Sequence, residues 1–407
     1  MSRQPQTPVA PTRVRLVGGA LRRVALAALG PLAIVSALAG CGGSSEPKLS
    51  PEARLGRLIF SDASLSASSL QSCASCHDAA RGHSAPNALA VQPGGTHLEL
   101  SGLRSSPSIR YLLSNGPLRF DVDGAPSGGF FWDGRAASLE EQAAGPFTNP
   151  LEMANPDRNS VVARLSRAVY AEEFKAVFGA DVLADTERAF AALTRAIASF
   201  EREDATFNAF TSKYDAYLRG QVALSAQEAH GLRLFEAPTK GNCAACHPSA
   251  KGADGSFPLF TDFSYDALGV PRNPDIPANA DAKYFDLGLC ALDRFKDRAD
   301  LCGLFKVPTL RNVALRGSLF HNGRFKSLEE ALHFYAERDT NPERFYPVGA
   351  DGSVRKFDDL PERYHANVNT SEAPYGRARG AAPALNSAEI DDLAAFLRTL
   401  TDGFAPP

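Results

Sequence analysis

Two short cysteine and histidine motifs carry the clearest chemistry in this chain of 407 residues. They are Cys73-Ala74-Ser75-Cys76-His77 and Cys243-Ala244-Ala245-Cys246-His247. Two thiols at this spacing can bond to the vinyl groups of haem, and the histidine that follows can bind the iron. A zinc site or a thioredoxin-like thiol pair is the alternative, but neither requires histidine after the second cysteine. The sequence therefore predicts two covalently attached haem c groups.

The ligand on the other face of each iron separates electron transfer from peroxide chemistry. Electron-transfer haems usually carry methionine or histidine there. The methionines are Met1 and Met153, so methionine can serve one mature haem at most. Each histidine outside the motifs is more often a surface residue or a propionate contact than a ligand. These histidines are His83, His97, His230, His321, His333 and His365.

The first residues have the plan of a bacterial export signal. Arginines precede an apolar run at 24–39, and small residues then lead to Cys41. A transmembrane anchor is the alternative, but the run is short for one. We expect residues 1–41 to be a signal peptide with a lipoprotein box, Cys41 to carry the lipid, and residues 42–48 to be a flexible tether. The protein is then exported to the periplasmic side and attached to the outer membrane by its lipid alone.

Composition bounds the fold and the partners. With 44% hydrophobic residues and a formal net charge of -3, the chain can build two ordinary domains and gives no indication of nucleic-acid binding. Long loops rich in proline and glycine would normally count against a compact domain. Here the apolar haem macrocycles supply part of the core.

An internal repeat predicts how the chain is organised. Leu49-Ser50, Gly56 and Ile59-Phe60 recur as Leu224-Ser225, Gly231 and Leu234-Phe235. Each copy predicts an amphipathic helix with a small residue at a close contact. Each half then ends in a periodic helix, at 186–202 and at 387–400, the latter with Ser387 as its N-cap. We expect an all-α fold of two cytochrome c-like helical domains with long irregular loops, at 49–220 and 221–407, each with one haem c.

Several further segments resemble the bacterial diheme cytochrome c peroxidase and MauG superfamily. They are the stretches 131–135, 139–146, 149–153, 306–312 and 320–323. The resemblance extends over nearly all of the mature chain. It implies a peroxidase in which the His77 haem of domain 49–220 meets hydrogen peroxide and the His247 haem of domain 221–407 transfers electrons.

The resemblance also implies roles for side chains near the first haem. Gln142, Pro146 and Glu152 match the distal-pocket positions, where Glu152 would move a proton between the two peroxide oxygens. A solvated loop carboxylate is the alternative for Glu152. Trp132, the only tryptophan, matches the residue between the haems, and a purely structural aromatic is compatible with that role. Without a second tryptophan, tyrosines or the haem edge would have to pass oxidising equivalents to the surface.

Tyr335 stands where ordinary diheme peroxidases have a methionine ligand to the second haem and where MauG has tyrosine. An anionic oxygen donor stabilises higher iron oxidation states than a thioether does. The alternative is a core aromatic, because Leu328, Ala331 and Leu332 share its helical spacing. The scarcity of methionine favours Tyr335 as a haem ligand.

The segment 335–361 looks closest to MbnH-type enzymes, which oxidise a tryptophan in a small copper-binding protein. The sequence thus predicts a MauG/MbnH-like diheme peroxidase that oxidises a tryptophan of a periplasmic partner protein through a high-valent diheme state. One alternative is a conventional diheme cytochrome c peroxidase, with a small cytochrome or cupredoxin as electron donor. The other is a diheme electron carrier without catalysis.

Two features lie outside these roles. The family usually holds Ca²⁺ between its haems, but here Ser105 replaces an asparagine and Arg316 adds positive charge. Backbone carbonyls could still bind the ion, so calcium stays open. Cys290 and Cys302 remain after the other cysteines are assigned, and we expect a disulfide worth about 3 kcal/mol. Two free thiols are the alternative in an exported protein.

Overall fold

The computed structural model describes residues 48–406, which lie in one compact unit. The predicted signal peptide, the lipid site Cys41 and most of the tether lie outside the described residues. Within the described range, no helix has the length and apolarity needed to cross a bilayer.

Helices dominate this part of the chain. The ten α-helices are α1 (Pro51–Ser61), α2 (Cys73–Cys76), α3 (Leu139–Thr148), α4 (Arg158–Leu165), α5 (Ala171–Phe178), α6 (Thr186–Glu203), α7 (Lys213–Leu218), α8 (Ala226–Glu236), α9 (Leu328–Glu337) and α10 (Ser387–Arg398). Residues 48–406 contain three antiparallel strand pairs, which are Pro93–Gly94 with Leu100–Ser101, Arg119–Phe120 with Pro126–Ser127, and Tyr265–Asp266 with Phe305–Lys306. The expected helical class is confirmed, with a few two-residue strands added.

The repeat predicted from the sequence is present as two helix pairs, α1 on α6 and α8 on α10. The hydroxyls of Ser50 and Ser225 cap α1 and α8 by accepting backbone N–H groups in the first turn. Each pair meets at a glycine. A Cβ on Gly56 would lie 1.9 Å from the Ala196 carbonyl oxygen, and one on Gly231 would lie 2.0 Å from that of Asp392. The small residue at a close contact is therefore confirmed in both copies.

The N-cap of the last helix lies one residue before the position that the sequence predicted. Asn386, and not Ser387, is the N-cap of α10, and Ser387 is the first helical residue. The Asn386 side chain accepts the Glu389 N–H at 3.0 Å, while the Glu389 carboxylate accepts the Asn386 N–H at 2.9 Å. This reciprocal pair of hydrogen bonds satisfies two backbone N–H groups at once, which favours Asn386 over Ser387 as the N-cap.

The two halves have separate hydrophobic cores. The first contains Leu55, Phe147, Phe174, Leu193 and Ile197, and the second contains Phe235, Phe334, Leu393 and Phe396. Tyr214 packs in the second core although it precedes Gly220. Core packing therefore favours a boundary somewhat before residue 220, and the division into two domains stays a prediction.

A buried ion pair stands where the halves meet. Both the Arg311 and Asp215 side chains have 0% exposure, and two guanidinium N–H groups donate to the carboxylate at 2.9 and 3.0 Å. The same guanidinium lies 4.8 Å from the Tyr111 ring and 4.5 Å from the Phe210 ring, which belong to the first half. Arg311 therefore links the two halves.

Asp402, near the C-terminus, makes a second link. Its carboxylate accepts from the Tyr111 hydroxyl at 2.6 Å and the Arg110 guanidinium at 3.2 Å, both in the first half. It also accepts from the Asn312 amide at 2.7 Å in the second half. One carboxylate thus holds three segments that are distant in sequence. Elsewhere in the second half, Cys290 and Cys302 are joined by a disulfide.

Candidate haem sites

The two motif histidines are held in the same way. The imidazole Nδ1 of His77 lies 3.1 Å from the His83 carbonyl oxygen, and that of His247 lies 2.7 Å from the Phe260 carbonyl oxygen. A histidine that donates Nδ1–H to a carbonyl presents a free Nε2 lone pair, as an iron ligand must. Burial lowers the pKa of His77 to about 4 and also lowers the pKa of His247, so both are neutral at neutral pH.

The four motif cysteines are unpaired. Burial raises the pKa of each thiol to about 12. Nearby carboxylates add to the rise at Cys73, Cys76 and Cys246. A redox-active or zinc-binding cysteine needs a stabilised thiolate, so these surroundings suit neither alternative. Thioether formation with haem leaves a neutral sulfur, which such an environment tolerates. The residues present therefore fit two haem c groups.

A large cavity opens beside the second motif. His247 and Cys243 line it together with Tyr335, Trp132 and Arg316. Much of the remaining wall is aliphatic, with Leu268, Val270, Leu328, Leu332 and Leu393. His321 also lines this cavity. A largely apolar enclosure with the motif imidazole on its wall is the environment that a haem macrocycle needs.

Helix α9 carries Tyr335 into this cavity. Ser327 caps the helix, and Leu328, Leu332 and Phe334 are buried in the second core. The Tyr335 ring then faces the cavity, 5.6 Å from the Phe320 ring centroid and 6.0 Å from that of Tyr375. Burial raises the pKa of Tyr335 above its usual value, and Cys243 adds to the rise. The phenol and the motif of the second haem therefore share one cavity.

Glu152 lies in the turn after α3, close to the first motif. Its Oε2 atom is buried and has no hydrogen-bond partner among the described residues. Burial raises the pKa of Glu152, and the Arg135 guanidinium opposes part of that rise. The carboxylate is near enough to Cys73 and Cys76 to raise the pKa of both thiols. A buried carboxyl with one free oxygen beside a haem can exchange a proton with a ligand there.

Helix α3 carries the other two distal-pocket candidates. Gln142 and Pro146 are half-buried on it, four residues apart. The Met153 N–H donates to the Pro146 carbonyl at 3.1 Å, which ties the turn that contains Glu152 to this helix. Met153 itself is buried in the first core. Gln142, Pro146 and Glu152 are thus carried by one local unit.

Trp132 lies on the wall of the second cavity and is 7% exposed. Its indole Nε1–H donates to the Ser105 carbonyl at 2.8 Å, and its own carbonyl accepts the Lys306 N–H at 2.8 Å. These bonds join three segments that are far apart in sequence. An indole held in this way is compatible with a structural role for Trp132 and with a role in electron transfer between the two sites.

Comparison with known proteins decides the family. The model of the di-haem cytochrome c peroxidase family, which includes MauG, matches residues 50–223. The methylamine utilization protein MauG of Paracoccus denitrificans is 37% identical over 391 residues, which cover 93% of this chain and 95% of MauG. The chain belongs to the diheme cytochrome c peroxidase and MauG family. It is therefore an oxidoreductase, as the sequence predicted, and the non-catalytic carrier loses its support.

Solved structures of this family share the fold. The diheme peroxidase BthA of Burkholderia thailandensis superposes with a TM-score of 0.80 and 40% identity, over 87% of each chain. A MauG-like protein associated with microbial copper homeostasis gives a TM-score of 0.60 and 26% identity, over 88% of this chain and 91% of that one. The likeness to BthA exceeds the likeness to the copper-associated protein, so the copper connection stays a proposal.

Three residues near the candidate haem sites were not predicted from the sequence. Tyr375 is 8% exposed, lines the second cavity and has a hydroxyl without a partner among the described residues. The Lys306 ammonium donates to the Gly129 carbonyl at 2.6 Å, and burial lowers its pKa to about 7. Glu201 on α6 is 4% exposed, and burial raises its pKa to about 8. Only Lys306 stood in a segment that the family resemblance had singled out.

The two segments expected around a calcium ion do come together. The Ser105 N–H donates to the His321 carbonyl at 2.7 Å, and the Ser105 and Ser318 hydroxyls lie 3.0 Å apart. The Arg316 guanidinium, however, lies against both serines. In the described part of the chain, no three His, Cys, Asp or Glu side chains are grouped as metal ligands. A guanidinium at this point does not fit a bound divalent cation, so no step is assigned to calcium.

Proposed function

We propose that this diheme peroxidase uses hydrogen peroxide to oxidise a side chain, most simply a tryptophan, of a partner protein. The observation that carries the proposal is the pairing of Tyr335 with His247 in one cavity. A haem attached to Cys243 and Cys246 would be held by the His247 imidazole, and the Tyr335 phenol would be available to it as a second ligand. Met153, the only methionine among residues 48–406, is buried in the other core.

The choice of ligand separates this function from simple peroxide removal. A thioether ligand raises the reduction potential of a haem and suits an electron carrier, whereas an oxygen donor stabilises oxidised iron. When bound, the two haems supply the reduction of peroxide and the storage of its oxidising equivalents. Tyr335 would keep those equivalents available for a slow protein substrate.

The residues of the first site would handle the proton. Glu152, with its free buried Oε2, would take a proton from the near oxygen of peroxide and return it to the departing oxygen. Gln142 and Pro146, carried on α3, would shape the pocket around that exchange. Trp132, held by Ser105, would connect the two sites electronically.

The alternative is a conventional diheme peroxidase that draws electrons from a small cytochrome or cupredoxin, and the matched family model carries that name. The partner and the location also remain proposals. We propose an exported protein, attached on the periplasmic side through lipid at Cys41, with a small copper-binding protein as one candidate partner.

Replacement of Tyr335 tests the proposed function. In the wild type, we expect peroxide to produce a near-infrared band from charge shared between the haems, and Tyr335→Met should abolish it. The same variant should raise the potential of the second haem, while Glu330→Gln, an exposed change on α9, should alter neither property. A wild type without the band that turns over rapidly with reduced cytochrome c would establish the conventional alternative.

Mass spectrometry tests the substrate. Incubation of a candidate partner with the enzyme and peroxide should add oxygen to a tryptophan of that partner. Omission of peroxide provides the control. A partner that keeps its mass while peroxide is consumed would reject protein oxidation for that pair.

A further inference from the structure

Arg316 is a half-buried cation without an anionic partner among residues 48–406. Its Nε donates to the Ser318 carbonyl at 3.3 Å, and one terminal nitrogen donates to the Ser105 hydroxyl at 3.4 Å. Both bonds are long, and a guanidinium has five N–H donors. Burial alone lowers the pKa of Arg316, to about 10, without a contribution from any carboxylate. Residues 48–406 therefore leave most of its hydrogen-bonding capacity unused.

Three other arginines in the interior of the described chain are paired with carboxylates. Arg104 bonds to Asp133 and Asp286, Arg311 bonds to Asp215, and Arg338 bonds to Asp339. This contrast matters because a buried charge is unfavourable unless a counter-ion and hydrogen bonds accompany it. Arg316 would have a counter-ion of this kind only if a bound group supplied the negative charge.

The position of Arg316 indicates which group that is. The side chain lines the cavity of His247 and is near enough to His77 to lower the pKa of that imidazole. It therefore lies at the junction of the two haem sites. Haem carries two propionate carboxylates, and an arginine binds a carboxylate through parallel N–H donors.

We propose that Arg316 binds a haem propionate at this junction and occupies the place of a bridging metal ion. The inference rests on the two haems of the proposed function. It explains why two serine oxygens, and no acidic side chains of residues 48–406, contact the guanidinium. A Ca²⁺ ion at the same place would be repelled by the fixed positive charge.

The contact would also position Trp132. Ser105 receives Arg316 at its hydroxyl and Trp132 at its carbonyl. A propionate that fixes the guanidinium would hold Ser105, and with it the indole between the sites. Arg316 acts in this account as a positioning residue and as a charge that favours the reduced state of the nearby haem.

The experiment compares Arg316→Gln and Arg316→Lys in the haem-loaded protein. Arg316→Gln should lower the midpoint potential of at least one haem and shift the propionate bending bands in resonance Raman spectra. Arg316→Lys should restore much of the potential but not the bands, because an ammonium cannot form the two parallel bonds. Arg298→Gln, a surface change, should leave both readouts at their wild-type values.

Calcium provides a test in the wild type, whatever the yield of the variants. Chelator treatment and added Ca²⁺ should leave the haem spectrum unchanged. A calcium-dependent spectrum, or an Arg316→Gln protein with wild-type potentials and bands, would overturn the inference. These readouts need neither peroxide nor a partner, so they are independent of whether a protein is oxidised. A haem count other than two would instead reject the basis of the proposed function.

Discussion

The two candidate haem sites are built on one plan and differ in the side chains that lie near each motif. In each, a capped helix meets a second helix at a glycine, and the motif histidine bonds to a backbone carbonyl. The first site then adds Glu152, a carboxyl with a free buried oxygen, whereas the second adds Tyr335, a phenol on α9. The scaffold is thus shared, and the proposed difference in chemistry depends on one local segment in each half.

The strongest test of this difference is Glu152→Gln, which keeps the shape of the side chain but removes its ability to accept a proton. We expect the reaction with peroxide to slow by about 10²–10⁴-fold, as measured by stopped-flow spectroscopy. The spectrum of the second haem should not change. Glu172→Gln, at a carboxylate whose side chain is 86% exposed, is the control. An unaltered rate in Glu152→Gln would mean that the carboxyl is structural.

Arg311→Ala tests whether the two halves are energetically independent. The substitution leaves Asp215 buried without its cation, which should cost about 3–5 kcal/mol of unfolding free energy. Since Arg311 also contacts rings of the first half, both halves should lose stability in calorimetry. Arg188→Ala, at an exposed ion pair, should change little. Loss confined to the second half would contradict the proposed link.

The glycine contacts allow a matched comparison of the halves. Gly56→Ala and Gly231→Ala should each destabilise the protein by about 1–3 kcal/mol, because the added methyl group forces a backbone carbonyl to move. Chemical denaturation of the holoprotein measures both effects. Gly116→Ala is the control, since its Cβ would meet only one flexible arginine at 3.7 Å. Unequal losses of unfolding free energy in the two variants would show that the two helix pairs do not contribute equally to stability.

The smallest predicted effect is a pH dependence confined to the first site. Glu152 must be ionised to accept a proton, and burial raises its pKa above the usual value. The rate of reaction with peroxide should therefore fall as the pH drops through this raised pKa, up to tenfold per pH unit. The acid limb should disappear in Glu152→Gln. An acid limb at the ordinary carboxyl pKa would argue for a solvated Glu152.

The sequence predicted features that depend on local pattern. The haem motifs, the helical class and the repeat around Gly56 and Gly231 follow from short-range spacing, as does the last helix apart from its cap at Asn386. Tyr375 could not be predicted in this way, because it follows no periodic pattern and reaches the cavity through long-range folding. The same holds for the free oxygen of Glu152 and the unpaired guanidinium of Arg316. Burial and missing partners are properties of the assembled chain.

The carboxylate of Asp402 has a consequence for the history of the molecule. A repeat of this kind is what duplication of an ancestral single-haem gene would leave behind. Yet Asp402 now receives hydrogen bonds from Arg110 and Tyr111 in one copy and from Asn312 in the other. A chain cut between the copies would leave polar groups without partners on both fragments, so we expect neither copy to be stable when it is expressed alone.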